Sequence, residues 1–216
     1  MPPVIVSLTS IPRRNHTLGP TITSLLNQQR PPDEIRLYLT PGCEHVAGIR
    51  CYDVVDRGPV TKLSAAVDPY LPAEALIVTV DDDVLYAPTW LATLVEAANA
   101  MPTCAVGRSG WDANDFITNP IHGFYVWATG DTCDVLEGWS GVAYRRGFFD
   151  ATILEPPPAF HHVDDVWISG YLAKRGIGRR LVRPQLATAR TDSTPGLHNR
   201  PDFLTLNRRA AILAFT

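Results

Sequence analysis

Three adjacent carboxylates, Asp81, Asp82 and Asp83, directly follow the apolar run 76–80. Like charges about 4 Å apart repel by about 1 kcal/mol in water and about 4 kcal/mol near a protein surface, so such a cluster requires full solvation or a compensating cation. Because residues two apart in an extended segment point to the same side, we expect Asp81 and Asp83 to face one point and Asp82 to turn away. Such oxygen ligands suit Mg²⁺ or Mn²⁺, often shared with substrate phosphates. The pattern therefore predicts a divalent metal site in preference to a solvated acidic turn.

The elements around this cluster alternate between strand and helix over residues 1–100. Short apolar runs predict strands at 4–8, 34–39, 48–55 and 76–80, and helical spacing predicts helices at 18–26, 62–67 and from Pro88 onward. Pro20 is expected in the first turn of the first helix, where proline is tolerated. Alternation of this kind indicates an α/β fold with a mostly parallel central sheet flanked by helices. In open sheets ligands bind beyond the carboxyl ends of the strands, and the acidic cluster lies at such an end.

The second half of the chain has a weaker pattern. Residues 103–150 are expected to form short strands and loops, residues 163–174 a helix, residues 188–200 a mobile loop and residues 203–215 a closing helix. The length of 216 residues fits one domain. We therefore expect a single domain over 1–216, with the nucleotide-binding part in residues 1–100.

Composition narrows the class of protein. The chain is 45% apolar and 19% charged, which is typical of a packed globular domain. Its formal net charge of −3 argues against a nucleic-acid partner. The same charge suits a protein that binds an anionic substrate together with a metal cation. We expect no transmembrane segment, no signal peptide and a cytoplasmic location. The four cysteines form no C-x-x-C pair, and reduced thiols are favoured over a Cys43–Cys51 disulfide.

An ordered set of segments resembles the GT-A glycosyltransferases, and in particular small family-2-like enzymes found in bacteria and large DNA viruses. The segment VTVDDDVLYAPTWL resembles their D-x-D region, and PTITSLLNQQRPPDEIRLYL resembles their first helix and second strand. The segments VSLTSIPRR, DRGPVTKL, GWSGVAYRRGFF and DDVWISGYL complete the set. Two features depart from the family: residues 40–42 replace the usual acidic residue after the second strand, and the Q-x-x-R-W segment of processive enzymes is missing.

The resemblance implies a Rossmann-like GT-A nucleotide-diphospho-sugar transferase fold and a bound Mn²⁺ or Mg²⁺. It implies transfer of one sugar from a nucleotide diphosphate sugar, with a UDP-sugar favoured, to a hydroxyl of a glycan or glycoprotein acceptor. Residues 101–216 would then form the acceptor-binding half with a mobile C-terminal tail. Absence of the processive motif favours transfer of a single sugar over polymer extension.

Individual residues can be given roles within that resemblance. In the donor site we expect Thr9, Arg13 and Lys62 to contact the nucleotide or its phosphates, with Arg14 as the alternative to Arg13. Two aspartates, Asp81 and Asp82, complete the donor site. His198 is expected as an additional metal ligand, a role that some enzymes of this fold assign to a C-terminal histidine.

The remaining predicted site residues lie in the second half. Asp164 and Asp165 begin a helix, where aspartate also acts as a cap and complements the helix dipole. Inverting transfer needs a carboxylate that accepts the proton of the attacking hydroxyl, and we favour Asp165 for that role over Asp164. Trp139, with its aromatic face, and the small Gly141 are expected to bind the acceptor, with Trp111 as a further candidate.

Two other classes of protein use similar features. A nucleotidyltransferase or phosphohydrolase acting on sugar nucleotides would also use clustered carboxylates and magnesium, although the chain contains no G-x-x-x-x-G-K phosphate loop. A non-catalytic carbohydrate-binding module would bind glycans through its tryptophans without a nucleotide sugar. The chemistry of the products and the requirement for a nucleotide separate these alternatives.

Overall fold

A seven-stranded sheet organises the described part of the chain, which in this computed structural model comprises residues 2–118, 128, 130–182, 188–190 and 197–216. Its strands, together with those of two two-stranded sheets, are β1 (Val4–Ser10), β2 (Glu34–Leu39), β3 (Arg50–Asp53), β4 (Leu76–Thr79), β5 (Val84–Tyr86), β6 (Cys104–Gly107), β7 (Gly110–Trp111), β8 (Val135–Leu136), β9 (Val142–Arg145), β10 (Gly178–Leu181) and β11 (Thr188–Arg190). In the large sheet the strand order is β10-β6-β9-β4-β1-β2-β3.

Helices cover this sheet. They are α1 (Asn15–Leu26), α2 (Trp90–Ala100), α3 (Ala113–Thr118), α4 (Asp164–Lys174) and α5 (Phe203–Phe215). Several 3₁₀ segments add to them, among which Pro12–Arg14, Pro59–Val67, Gly138–Ser140 and Leu197–Asn199 matter for the site.

The predicted mostly parallel sheet is confirmed. Strands β1, β2, β3 and β4 pair in parallel, as do β6 and β10. Strand β9 lies between β4 and β6 and runs antiparallel to both. The sheet therefore takes strands from both halves of the chain, and the carboxyl ends of β1, β2 and β4 meet at one edge.

Successive side chains of β1 point to opposite faces of the sheet, and both faces are covered by helical segments. Val4, Val6 and Leu8 point into a core shared with α1 and α2, whereas Ile5 points into a second core shared with the 3₁₀ segment Pro59–Val67 and α4. All four side chains are buried. Full burial of such a side chain contributes about 1.5–3 kcal/mol relative to exposure, so a register slip of one residue would be strongly disfavoured.

Several expected elements differ in detail. Helix α1 begins at Asn15, so Pro20 lies inside the helix and not in its first turn. The predicted helix at 62–67 is a 3₁₀ segment that begins at Pro59. The expected loop at 188–200 contains strand β11, which pairs antiparallel with β5, and a 3₁₀ turn at Leu197–Asn199. Residues 191–196 of that expected loop lie outside the described residues.

Two smaller findings complete the fold. All four cysteines are free thiols, which agrees with the preference for reduced cysteines. Among the described residues, no helix combines the length and the apolar character needed to cross a membrane.

Candidate functional site

A pocket of about 650 Å³ opens at the carboxyl edge of the sheet. Because β1, β2 and β4 are parallel, the turns that follow them converge there. Nearly all of the residues predicted for donor, metal, base and acceptor binding line this one pocket: Thr9, Arg13, Lys62, Asp81, Asp82, Asp83, Trp111, Trp139, Asp164 and Asp165. The fold thus brings together residues that the sequence predicted from separate motifs.

The acidic cluster does not continue strand β4. The strand ends at Thr79, and Asp82 and Asp83 lie in a turn, so the alternation expected for an extended segment does not apply. The expectation that Asp82 turns away is wrong, because its carboxylate lines the pocket and accepts a 2.6 Å hydrogen bond from Ser10 Oγ. All three carboxylates therefore border the same space.

Arg14 contacts two carboxylates of this cluster. Its Nη1 lies 2.7 Å from Asp82 Oδ1 and 3.0 Å from Asp83 Oδ2. Burial raises the pKa of Asp82 above its ordinary value, although the nearby Arg14 charge opposes that rise. Arg13 lines the pocket with an exposed side chain, so of the two arginines weighed for phosphate binding Arg14 makes the closer contact with the carboxylates.

Lys62 links the acidic turn to the start of helix α4. Its Nζ lies 3.0 Å from Asp81 Oδ1 and 3.0 Å from Asp164 Oδ2, and its side chain is buried. Burial alone would lower the pKa of Lys62, but the carboxylates of Asp164 and Asp81 raise it well above its ordinary value. Lys62 therefore carries a fixed positive charge between carboxylates from the two halves of the chain.

The two aspartates of α4 have different surroundings. Asp164 is paired with Lys62, whereas Asp165 Oδ1 accepts a 3.0 Å hydrogen bond from the backbone N–H of Gly138. Burial raises the pKa of Asp165 well above its ordinary value, and the charge of Asp164 adds to that rise while Lys62 opposes it. A carboxylate with a raised pKa is better suited to accept a proton near neutral pH. The two carboxylates therefore differ in the groups that hold them.

One tyrosine connects the acidic turn with the predicted sugar-binding turn. Tyr86 OH accepts a 3.0 Å hydrogen bond from the backbone N–H of Asp81 and donates one of 3.2 Å to the carbonyl of Trp139. Trp139 is 36% exposed, and its indole N–H donates to Glu137 Oε2 at 3.2 Å. Buried Glu137 also accepts a hydrogen bond from Ser109. Sequence reasoning missed Tyr86 and Glu137, since neither belongs to a recognisable pattern.

The other acceptor candidates serve packing. Gly141 does not line the pocket; its φ is +88°, and a Cβ there would come within 2.2 Å of the Trp90 ring. Glycine at this position permits the close approach of Trp90, and the acceptor role of Gly141 stays a prediction. Trp111 reaches the pocket with only 1% of its surface exposed and packs edge-on against Phe116.

Thr9 and His198 are the two remaining predicted site residues. The hydroxyl of Thr9 donates to the carbonyl of Tyr38 at 2.9 Å, which fixes the start of the turn at the pocket wall. His198 belongs to the 3₁₀ turn Leu197–Asn199, but its side chain lies outside the described residues. Within the described part of the chain, no group of three or more His, Cys, Asp or Glu side chains is arranged to hold a metal ion.

Comparison with known proteins does not identify this chain. No family model matches the chain, and no curated protein sequence matches it. The chemistry of the pocket is therefore the basis for assigning a function.

Proposed function

We propose that this protein is a metal-dependent glycosyltransferase of the GT-A type that moves one sugar from a nucleotide diphosphate sugar, with a UDP-sugar favoured, to a hydroxyl of a glycan or glycoprotein acceptor. The observation that carries this proposal is the convergence of three elements on one pocket. These are the carboxylate turn 81–83, the cations Arg14 and Lys62, and the carboxylate Asp165. Sugar transfer from a diphosphate requires a site for that anion and a base for the acceptor.

The donor chemistry of the turn fits a hard divalent cation. All three side chains offer carboxylate oxygens, and Asp81 is the most accessible of them, with 30% of its side chain exposed. Mg²⁺ is commonly held by one or two carboxylates and completes its shell with waters and substrate phosphates. Asp81 and Asp83 would hold Mn²⁺ or Mg²⁺, which when bound supplies positive charge to stabilise the departing diphosphate.

The cations of the chain would hold the same diphosphate. The planar guanidinium of Arg14 can donate two parallel hydrogen bonds to phosphate oxygens. Lys62 adds a compact charge at the junction of the two halves. Fixed donors of this kind stabilise negative charge that develops on a leaving group without reorganising during the reaction.

The proton of the acceptor hydroxyl would pass to Asp165. This carboxylate lies in the same pocket, and its raised pKa suits a base that acts near neutral pH. The exposed ring of Trp139 beside it offers an apolar face for a sugar. Direct attack by the deprotonated hydroxyl on the anomeric carbon predicts inversion of configuration.

A thermal-shift screen of UDP- and GDP-sugars with and without Mn²⁺ tests the donor site. A ligand that binds only the folded state raises the melting temperature. At a free ligand concentration of 100 times the dissociation constant, it stabilises the folded state by about 2.7 kcal/mol. We expect a nucleotide sugar and Mn²⁺ together to stabilise the wild-type protein. Asp83→Ala should abolish the Mn²⁺-dependent part of that shift, because it removes a proposed ligand.

The matched control is Glu96→Ala, which removes one carboxylate from an exposed position on α2. It should keep the full Mn²⁺-dependent shift. Unchanged binding in Asp83→Ala would refute the metal assignment. Release of a nucleoside diphosphate on addition of an acceptor would support transfer, whereas release of pyrophosphate or of a nucleoside triphosphate would indicate a nucleotidyltransferase. Glycan binding that needs no nucleotide sugar would indicate a carbohydrate-binding module.

A further inference from the structure

A single guanidinium nitrogen bridges two of the carboxylates that follow β4. Arg14 Nη1 is 2.7 Å from Asp82 Oδ1 and 3.0 Å from Asp83 Oδ2. The Arg14 side chain is 14% exposed, and the two carboxylates are 6% and 4% exposed. Because water and salt screen buried charges weakly, this attraction is much stronger than that of a surface pair. The protein thus holds a positive charge of its own between these carboxylates.

Helix α1 fixes both sides of this contact. Thr17 Oγ1 donates a 2.7 Å hydrogen bond to the carbonyl of Arg14, and Thr21 Oγ1 donates one of 3.0 Å to the carbonyl of Asp82. The two threonines are four residues apart and lie on one face of the helix. The backbone positions of the arginine and of the acidic turn are therefore set by the same element, and the ion pair is part of the built site.

A divalent cation held by Asp83 would share that carboxylate with the Arg14 guanidinium. Magnesium requires carboxylate oxygens at about 2.0–2.1 Å, and Asp83 belongs both to the Arg14 ion pair and to the proposed metal ligands. Arginine remains protonated in proteins, so Arg14 cannot make room by losing its charge. A metal bound through Asp83 Oδ2 would therefore require Arg14 Nη1 to move away from that oxygen.

Displacement from Asp83 would leave Arg14 with one of its two carboxylate partners, Asp82. Loss of a charge partner by a largely buried guanidinium is unfavourable. A diphosphate in the same pocket would supply that partner, and its oxygens match the planar fork of arginine. We propose that Arg14 is a built-in competitor of the metal, which the diphosphate draws away, so that a divalent cation and a nucleoside diphosphate bind tightly only together. This inference rests on the proposed function, since it concerns the same donor site.

The decisive measurement is Mn²⁺ binding without nucleotide, followed by electron paramagnetic resonance of the free ion. Arg14→Gln removes the competing charge and should bind Mn²⁺ about tenfold more tightly than the wild-type protein, within the range of typical coupling between sites. Arg209→Gln is the matched control, because Arg209 is exposed on α5, does not line the pocket and loses the same charge. It should stay within about threefold of wild type, as expected for an exposed charge.

A second measurement tests the coupling itself. Addition of UDP, with GDP in parallel, should tighten Mn²⁺ binding to the wild-type protein by a factor of about 5–150. By thermodynamic reciprocity Mn²⁺ should tighten UDP binding by the same factor. The factor should be smaller in Arg14→Gln, and Arg14→Lys, which keeps a positive charge, should restore weak binding of Mn²⁺ alone.

The outcomes separate this inference from the proposed function. If Arg14→Gln binds Mn²⁺ alone no more tightly than Arg209→Gln does, Arg14 is not the competitor, even if UDP and Mn²⁺ still bind. If circular dichroism shows that Arg14→Gln is unfolded, the wild-type coupling decides: equal Mn²⁺ affinity with and without UDP or GDP overturns the inference. If Mn²⁺ fails to bind the wild-type protein under every condition, the metal-dependent function itself fails.

Discussion

Two arginines each bridge two acidic side chains at opposite edges of the central sheet. Arg14 joins Asp82 and Asp83 at the carboxyl edge, beside the pocket. Arg36 makes the equivalent bridge at the amino edge, where β2 begins and where the chain enters β4. The two arginines make similar local contacts, but the charged residues around them differ.

At the amino edge, each carboxylate of the Arg36 cluster has an arginine partner. Arg36 pairs with Glu34 at 3.0 Å and with Asp68 at 2.6 Å, Arg50 pairs with Glu34 at 3.2 Å, and Arg146 Nε donates to the backbone carbonyl of Asp68. Every negative charge in this cluster already has a partner from the protein, so its function is to hold the chain together.

The carboxyl edge has a different charge balance. Among the described residues, the pocket is lined by seven acidic side chains and by three lysines or arginines, namely Asp56, Asp81, Asp82, Asp83, Glu137, Asp164, Asp165, Arg13, Arg14 and Lys62. Such an excess of negative charge is unfavourable for the folded protein without a further cation. Similar ion pairs therefore have different uses: stability follows from a complete set of partners, and binding follows from an incomplete set beside a cavity.

The largest effect that this contrast predicts is on catalysis at the carboxyl edge. Asp165→Asn keeps an oxygen that can accept from the Gly138 N–H but cannot take a proton. Transfer, measured as release of nucleoside diphosphate with an acceptor, should fall by about 10²–10⁴-fold, while thermal shifts with donor and Mn²⁺ remain. The neighbouring Asp164→Asn, which removes one of the two carboxylate partners of Lys62, should mainly weaken donor binding. Near-normal transfer by Asp165→Asn would mean that the base lies elsewhere.

The next effect is on stability at the amino edge. Arg36→Met leaves two partly buried carboxylates without their main partner, and we expect the free energy of unfolding to fall by about 2–3 kcal/mol in urea titrations. Binding of UDP and Mn²⁺ should not change. Arg50→Met is the matched control, since the Arg50 side chain is 71% exposed and its pair with Glu34 should contribute less than about 1 kcal/mol. A loss of donor binding in Arg36→Met would break the distinction between the two edges.

Sequence periodicity predicted those parts of the fold in which burial is repetitive. Strand β2 and helix α5 have the predicted bounds, because their apolar residues recur with a period that only one type of element satisfies. The reversal of β9 within the sheet could not be predicted, since alternation looks the same in either strand direction. Strand β11 was missed because three residues at a sheet edge carry no detectable period.

The site was predictable in its composition and not in its contacts. The acidic turn after β4 and the aspartates that begin α4 were each visible as local patterns. Their connection through Lys62 was not, because the ion pair depends on how the 3₁₀ segment Pro59–Val67 packs between the two halves of the chain. The packing contact of Gly141 was not visible for the same reason: its need for a glycine comes from Trp90, which is distant in sequence.

The smallest predicted effect is the pH dependence of the amino edge. Burial alone would raise the pKa of Asp68, but the hydrogen bonds from Arg36 and from the Tyr70 backbone N–H outweigh it, and the pKa lies below its ordinary value. The folded protein therefore binds this proton less tightly than the unfolded chain does, whose pKa is about 3.9. It follows that the Asp68 contribution to stability is present above about pH 4 and is lost as the pH falls through the folded value.

Urea titrations from pH 7 to pH 3 can isolate this contribution if wild type is compared with Asp68→Asn. The difference in unfolding free energy between the two proteins should be constant at neutral pH and should shrink below about pH 4. Because Arg36 is the partner, the same acid-dependent difference should be much smaller when both proteins also carry Arg36→Met. A difference that grew on acidification would show that Asp68 is destabilised by burial more than it is stabilised by its partners. The amino edge would then resemble the carboxyl edge in holding a carboxylate that the protein does not fully compensate.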